Sequence, residues 1–362
     1  MERTINYARK PGFLASLLLS LLTFSGVAKA QSDAEAAEIN CASHQVQQNV
    51  LDALQQQLTN GYIFPKKAEQ FAIHIKAQQA QKAFAKINDC DSFANIINEQ
   101  LMKITDDKHL HVVYSPHPIP DETPESKAAF AAHEAEFMKS LNYGFEKVQR
   151  LPFNIGYINL LLFAETAQGG PQLASAMNLL SYTNALILDL RESRGGEPAM
   201  VDLITSYFMD ERTNTSDIYY RKEDRLEKRF TVNQVSGKHY GQQRPVYILT
   251  SQDTFSAAED LAYTLKHLNR AVIIGEVTGG GAHPGDMIKL TSHFESFIPN
   301  GRSINPITKT NWEGVGVQPN IKTAADKALN AAQQHILMKL KANETNLARA
   351  DRMQKRIERL AL

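Results

Sequence analysis

The run at 185–190, Ala-Leu-Ile-Leu-Asp-Leu, constrains the fold of this chain more than any other feature. Five of its six residues are apolar and polar positions do not alternate with them, the signature of a strand buried inside a sheet. It runs straight into Arg191-Glu192-Ser193-Arg194-Gly195-Gly196-Glu197-Pro198, with paired glycines just before a helical stretch. Strand-like runs recur at 155–161, 246–249 and 271–275, and helical spacing fills 171–181, 198–207 and 257–268 between and beside them. That alternation predicts an α/β fold: a mixed, largely parallel sheet core with flanking helices.

The flanks read differently. Val50, Leu51, Leu54 and Leu58, then Phe84, Ile87, Phe93, Ile96 and Ile97, recur at helical spacing. They predict a small N-terminal helical domain over 31–114, which ends in the β-prone stretch 110–114. Residues 115–150, rich in Pro, charge and Ala, read as a linker with one exposed helix. The core then occupies 151–330. The Ala-rich, charged segment 331–362 reads as a helical extension, packed on the core at its start and solvated later, with a surface for self-association. No internal repeat is present.

Residues 1–30 carry Arg3, Arg9 and Lys10 ahead of an apolar run over 13–27, and Ala28-Lys29-Ala30 supplies a small-x-small cleavage pattern. This predicts a signal peptide and export to the periplasm or the extracellular space. The run is short against the ~20 apolar residues of a membrane span, so no stable span is expected after its removal. The chain has 39 basic and 39 acidic residues; without residues 1–30, which hold four basic and one acidic, 35 stand against 38. A slightly acidic balance argues against a nucleic-acid partner. The two cysteines, Cys41 and Cys90, form an even pair in an exported chain, which predicts a disulfide between them. Closing that loop would stabilise the fold by about 4 kcal/mol in the chain-entropy model.

Candidate chemistry centres on the run that leaves the strand at 246–249, Thr250-Ser251-Gln252-Asp253-Thr254-Phe255-Ser256-Ala257-Ala258-Glu259. Locally, Ser256 and Glu259 make a capping box, a purely structural device. The same helix terminus presents N–H donors and a positive dipole end to the oxyanion of an acyl intermediate. Glycines cluster again in Gly275-Glu276-Val277-Thr278-Gly279-Gly280-Gly281-Ala282-His283-Pro284-Gly285, and in Asn311-Trp312-Glu313-Gly314-Val315-Gly316-Val317-Gln318-Pro319. Glycines let a backbone approach a substrate closely and aim N–H groups at it. No phosphate loop, zinc signature or dinucleotide fingerprint stands in its required context, so neither a cofactor nor a metal is expected. Asp189 and Arg191 read as a structural pair at the strand end, and Trp312 as packing beside the cleft.

The ordered set Leu-Asp-Leu-Arg-x-x-x-Gly-Gly, Thr-x-Ser-Ala-x-Glu, Gly-Glu-x-Thr-x-Gly-Gly and Gly-Val-x-Pro resembles the catalytic core of the tail-specific (C-terminal processing) proteases and of tricorn. It is most similar to the interphotoreceptor retinoid-binding-protein-like branch, and the likeness covers about residues 150–330. The resemblance implies a crotonase-like or ClpP-like layer arrangement and a serine peptidase acting on peptides or unfolded proteins. It places Ser256 as the nucleophile, with the N–H of Ala257 and of Gly195 or Gly196 as the oxyanion hole. The family's lysine base would fall at about Gly281, so a Ser–Lys dyad does not carry over.

Asp106-Asp107-Lys108-His109-Leu110 resembles the branch's Asp-x-His-Leu segment and makes His109 the leading candidate for the base, with His283 and His111 as alternatives. Histidine's ordinary pKa, about 6.5, suits a group that takes and returns a proton. Glu313 matches the tricorn glutamate of a hydrogen-bonded tetrad, although Lys108 stands where tricorn has a serine and Ser193 where the family usually has Asn. No segment resembles the inserted PDZ domain that these proteases use to capture chain ends. A second reading follows from the same branch: a non-catalytic binder of small apolar ligands, of retinoid or fatty-acid type, or of peptides on the same core.

Overall fold

The computed structural model describes residues 39–361, so the expected signal peptide at 1–30 lies outside the described residues. Three helices lead: α1 (His44–Gly61), α2 (Pro65–Ala80) and α3 (Cys90–Thr105). Their apolar positions fall on one face each: Val50, Leu51, Leu54 and Leu58 in α1, Phe71 and Ile75 in α2, Phe93, Ile97 and Leu101 in α3 are all buried. Each such leucine or phenylalanine contributes about 1.5–3 kcal/mol of burial. The Asp89 carboxylate caps α3 by accepting the Ser92 N–H at 2.7 Å.

Cys41, just ahead of α1, and Cys90, which opens α3, form the expected disulfide, with Cα atoms 5.2 Å apart. Replacing both cysteines by alanine should lower unfolding free energy by about 2–4 kcal/mol. Equilibrium urea unfolding checks this, and an unchanged midpoint would refute the stabilising role.

Next come β1 (His111–Tyr114), α4 (Pro124–Ser140), β2 (Phe145–Leu151), β3 (Ile155–Leu160), α5 (Thr166–Leu179) and β4 (Ala185–Asp189). They are followed by α6 (Pro198–Ser206), β5 (Asn214–Tyr220), β6 (Arg225–Phe230), β7 (Val246–Thr250), α7 (Ala257–His267) and β8 (Ala271–Gly275). The chain closes with β9 (Gly285–Lys289), β10 (Phe294–Pro299), β11 (Gly301–Ile304), β12 (Ile321–Lys322), α8 (Ala328–Ala342) and α9 (Leu347–Leu360).

Six strands form the main sheet in the order β12-β8-β7-β4-β3-β2, parallel throughout except for the antiparallel pair β2–β3. The fold is thus α/β with a mixed, mostly parallel sheet, as the strand runs predict. Side chains alternate across it: Leu186, Leu188, Val246, Ile248 and Ile273 face one apolar layer, while Ala185, Ile187, Tyr247, Leu249 and Ile274 face the other. The first layer is closed by α5, α6 and α7, the second by α8 and α9.

Two features differ from the sequence-based reading. Residues 145–150, at the end of the stretch expected to be linker, belong to the edge strand β2, whose exposed charges Glu146 and Arg150 hid its pairing with β3. Helix α4, also in that stretch, is the expected exposed helix and buries none of its residues. The end of the chain is packed rather than solvated, because Met353, Ile357 and Leu360 make a buried stripe on α9. Two further three-stranded sheets, β1-β10-β9 and β11-β5-β6, complete the strand set. The pairing of β1 with β10 brings the segment just before it against the core, with Asp107 and Leu110 buried.

Candidate active site

Parallel strands put their carboxyl ends on one side of a sheet, and ligands of open α/β sheets bind there. The loops that leave β4, β7 and β8 carry Arg191–Pro198, Ser251–Ser256 and Glu276–Pro284, which are the three motif segments singled out above.

Ser256 stands at the start of α7 with φ 56° and ψ −123°. An ordinary cap residue is extended; a residue with a side chain at this φ costs about 1–3 kcal/mol and is held there by its surroundings, a pattern found at active sites. Gly195, at φ +92°, abuts it so closely that a Cβ there would lie 2.7 Å from Ser256 Cβ and 2.7 Å from the Ala257 nitrogen. The strap around Gly195 is fixed on its other side, where its carbonyl accepts the Phe163 N–H and the Phe163 carbonyl accepts the Glu197 N–H, both at 2.8 Å. The Ser193 carbonyl accepts the Phe255 N–H at 3.0 Å. Among the described residues, the N–H groups of Gly195, Gly196 and Ala257 donate to no acceptor of the chain. If these N–H groups serve as an oxyanion hole, Gly195→Ala displaces the strap and costs about 10²–10³ in kcat/KM. Steady-state kinetics beside a thermal melt separates that loss from unfolding.

Glu259 does more than cap. Fully buried, its carboxylate accepts the N–H groups of Ser256 (2.9 Å), Gly280 (2.7 Å) and Gly281 (2.9 Å), and the Thr278 hydroxyl (2.5 Å). It ties the glycine-rich turn to the backbone of Ser256. Burial pushes its carboxyl up to about 7, against the pull of these four donors. Four donors and no acceptor favour the carboxylate form.

His109 lies against the residue that precedes Ser256: its ring is 4.5 Å from that of Phe255 and 5.7 Å from that of Phe297. Its own N–H donates to Asp107 Oδ1 at 3.0 Å. Nδ1 is buried without a partner. Burial, opposed by Asp107, pushes the imidazole down to about 4, so it is neutral at pH 7 and able to accept a proton. No hydrogen bond joins its ring to Ser256; catalytic hydrogen bonds often align only in the complex with substrate. A Cβ at Gly281 would meet Phe255 at 2.2 Å and His109 Cε1 at 2.7 Å. The two rings occupy the space that a side chain at this position would need.

The other two histidines are engaged elsewhere. His111 donates from Nδ1 to the His109 carbonyl at 2.7 Å and stacks on Phe297. His283 is buried with Nδ1 3.1 Å from Asp107 Oδ2 and 3.4 Å from Glu313 Oε2. The imidazole that Glu313 meets is thus that of His283, and Glu313 Oε2 also accepts the Ala282 N–H at 2.5 Å. Tyr62 at the end of α1 donates to Asp107 Oδ2 at 3.0 Å. Burial works against the Asp107 charge, yet His283 and His109 hold its carboxyl below the usual carboxylate range. Burial pushes Glu313 up to about 7.

Asp107, His283 and Glu313 have ligand atoms within 4.8 Å of one another, a donor set compact enough for one metal ion. Asp107 and Glu313 are already bonded to donors of the chain. Asp189 and Arg191 form the expected strand-end pair at 2.6 Å, and buried Trp312 donates from Nε1 to the Gly281 carbonyl at 2.7 Å.

Comparison with known proteins gives this arrangement its family. The model of peptidase family S41 matches residues 154–323, and that of the N-terminal domain of Peptidase_S41 in eukaryotic IRBP matches residues 34–145. The chain belongs to peptidase family S41. Among curated S41 relatives, the chloroplastic carboxyl-terminal-processing peptidase 2 of Arabidopsis thaliana is 28% identical over 168 residues, 46% of this chain and 31% of that one. The carboxyl-terminal-processing protease of Synechocystis sp. is 33% identical over 130 residues, 35% of this chain and 28% of that one. The chain thus spans under a third of the length of these two relatives.

Solved structures that share the S41 chain's fold include mature CPAF (TM-score 0.55, 11% identity, 78% of this chain and 94% of that one). A lipoprotein from Streptococcus agalactiae does too (TM-score 0.53, 16% identity, 81% and 96%). Likeness at such identities shows the fold alone.

Two features of the S41 site escaped the sequence reading. Glu259 reads locally as a cap, and its three extra donors come from a turn about twenty residues on. Asp107 reads as a neighbour of His109; its partners Tyr62 and His283 lie 45 and 176 positions away.

Proposed function

We propose that this S41 chain is an exported serine peptidase that hydrolyses peptide bonds through an acyl-enzyme on Ser256. The observation that carries the reading is Ser256 itself, held at positive φ against the unclaimed N–H groups of Ala257 and the Gly195–Gly196 strap. Ser256 Oγ attacks the scissile carbonyl carbon, and the Oγ–C bond forms as the hydroxyl proton passes to His109. The carbonyl oxygen becomes an oxyanion facing those N–H groups, whose stabilisation is worth about 10²–10³ in rate per donor. Collapse breaks the C–N bond while His109 returns the proton to the leaving amine. Water, deprotonated by His109, then releases the acyl group and restores Ser256.

Asp107 supports His109 through its backbone N–H, and Glu313 and His283 hold Asp107 and the glycine-rich turn together. Export rests on the N-terminal pattern of residues 1–30. No described helix is long and apolar enough to cross a membrane. The apolar-ligand reading finds no support beneath the sheet, where the space among Phe145, Leu173, Met177 and Phe208 is about 10 Å3. Ligand pockets occupy about 300–1,000 Å3.

Incubation of the purified exported chain with a denatured protein tests the reading. Peptide fragments that disappear under a serine-directed inhibitor are expected; an intact substrate after prolonged incubation with folded enzyme would overturn it.

A further inference from the structure

A cleft of about 710 Å3 opens at the carboxyl ends of β7, β8 and β12, and its walls include Lys108, Gln252, Glu276, Gly279, Lys322 and Thr323. Two of its lining residues are tied to the segments that carry the candidate catalytic groups. Lys108 precedes His109 directly, and the Gly279 N–H donates to the carbonyl of Thr254, two residues before Ser256, at 2.9 Å. The Lys108 ammonium donates to the Gly279 carbonyl, which pins that cation to the wall. The one acid in the lining, Glu276, is turned toward backbone: its carboxylate accepts the N–H groups of Gln252 and Ala325, each at 3.3 Å. Lys322 is exposed and has no acid or acceptor of its own among the described residues. The cleft therefore offers one held and one unclaimed ammonium to whatever enters it.

We propose that this cleft is a specificity subsite for an acidic side chain of the substrate, an Asp or Glu, with Lys322 and Lys108 as the recognising cations. The proposal rests on the serine-peptidase reading and adds a substrate class to it. An extended peptide advances about 3.3 Å per residue. The Gly279 wall is one hydrogen bond and two residues from Ser256, so a carboxylate held beside it belongs to a residue within about three positions of the bond presented to Ser256. An exposed ion pair is worth about 0.2–1 kcal/mol, so the preference is about 1.4- to fivefold rather than absolute.

The test is cleavage-site profiling of a denatured peptide library by mass spectrometry, with the full chain as wild type, Lys322→Ala and Lys322→Glu. Wild type is expected to enrich Asp and Glu about 1.4- to fivefold at one fixed position within three residues of the cut. Lys322→Ala should reduce that enrichment, and Lys322→Glu should replace it with enrichment of Lys and Arg at the same position. Cuts without acidic enrichment, an enrichment unmoved by Lys322→Glu, or cuts set only by distance from the peptide's free end would overturn the subsite and leave the peptidase reading intact. A wild type that makes no cuts would overturn both.

Discussion

Ser256→Ala should abolish peptide hydrolysis, lowering kcat/KM by about 10⁴-fold or more, while the thermal midpoint stays near that of wild type. The size follows from the role: without Oγ no acyl-enzyme forms, and only the oxyanion donors and binding remain. Ser256→Gly should be equally inactive and about 1 kcal/mol more stable, because glycine adopts φ 56° without the strain that a Cβ brings. Steady-state hydrolysis with calorimetry on the three proteins checks both halves. A Ser256→Ala enzyme that retains more than a few per cent of the wild-type rate would remove Ser256 from the chemistry. A glycine variant less stable than wild type would show that the φ is not strained.

The second large effect is at His109. His109→Ala should lower kcat/KM by about 10²–10⁴-fold, the usual contribution of a positioned base. The same residue sets the pH dependence. Burial disfavours the imidazolium and pushes the pKa down to about 4, so the free enzyme keeps a proton-accepting His109 through mildly acidic pH and loses it as pH falls through about 4. The acid limb of kcat/KM should lie well below the ~6.5 of a solvated histidine and should vanish in the variant. Folding follows the same sign. The unfolded chain binds this proton between about 6.5 and 4 while the folded chain does not, so the His109 contribution to stability falls as pH drops across that window. An acid limb near 6.5, or full activity in His109→Ala, would move the role of base to another residue, with His283 next in line.

Much of the sheet is legible because its strands are apolar on both faces: Ala185–Asp189 and Val246–Thr250 alternate between two buried layers, and no other element fits such short apolar runs between helices. Strands β6 and β9 escape for the opposite reason. Arg225–Phe230 and Gly285–Lys289 are short, charged and half-exposed, so local pattern does not separate them from loop. The pairing of β1 with β10 joins His111 to Phe297, a contact that no window of local periodicity contains. On α9 the spacing of Met353, Ile357 and Leu360 carries the packing signal, but the charges between them read as a solvated helix.

The site divides in the same way. The Ser256–Glu259 spacing discloses a helix start. The positive φ of Ser256, the approach of Gly195 and the rings of Phe255 and His109 over Gly281 exist only once three loops converge at one end of the sheet. The four ordered motifs point to those loops by resemblance. The physical reason that they belong together is the parallel order of β4, β7 and β8.

Reaction of the folded chain with a fluorophosphonate probe, followed by peptide mapping of the adduct, tests the central claim most directly. The account predicts one adduct, on Ser256, absent from Ser256→Ala. A folded wild type that stays unlabelled from mildly acidic to mildly alkaline pH, or that carries the label on another residue, would contradict it.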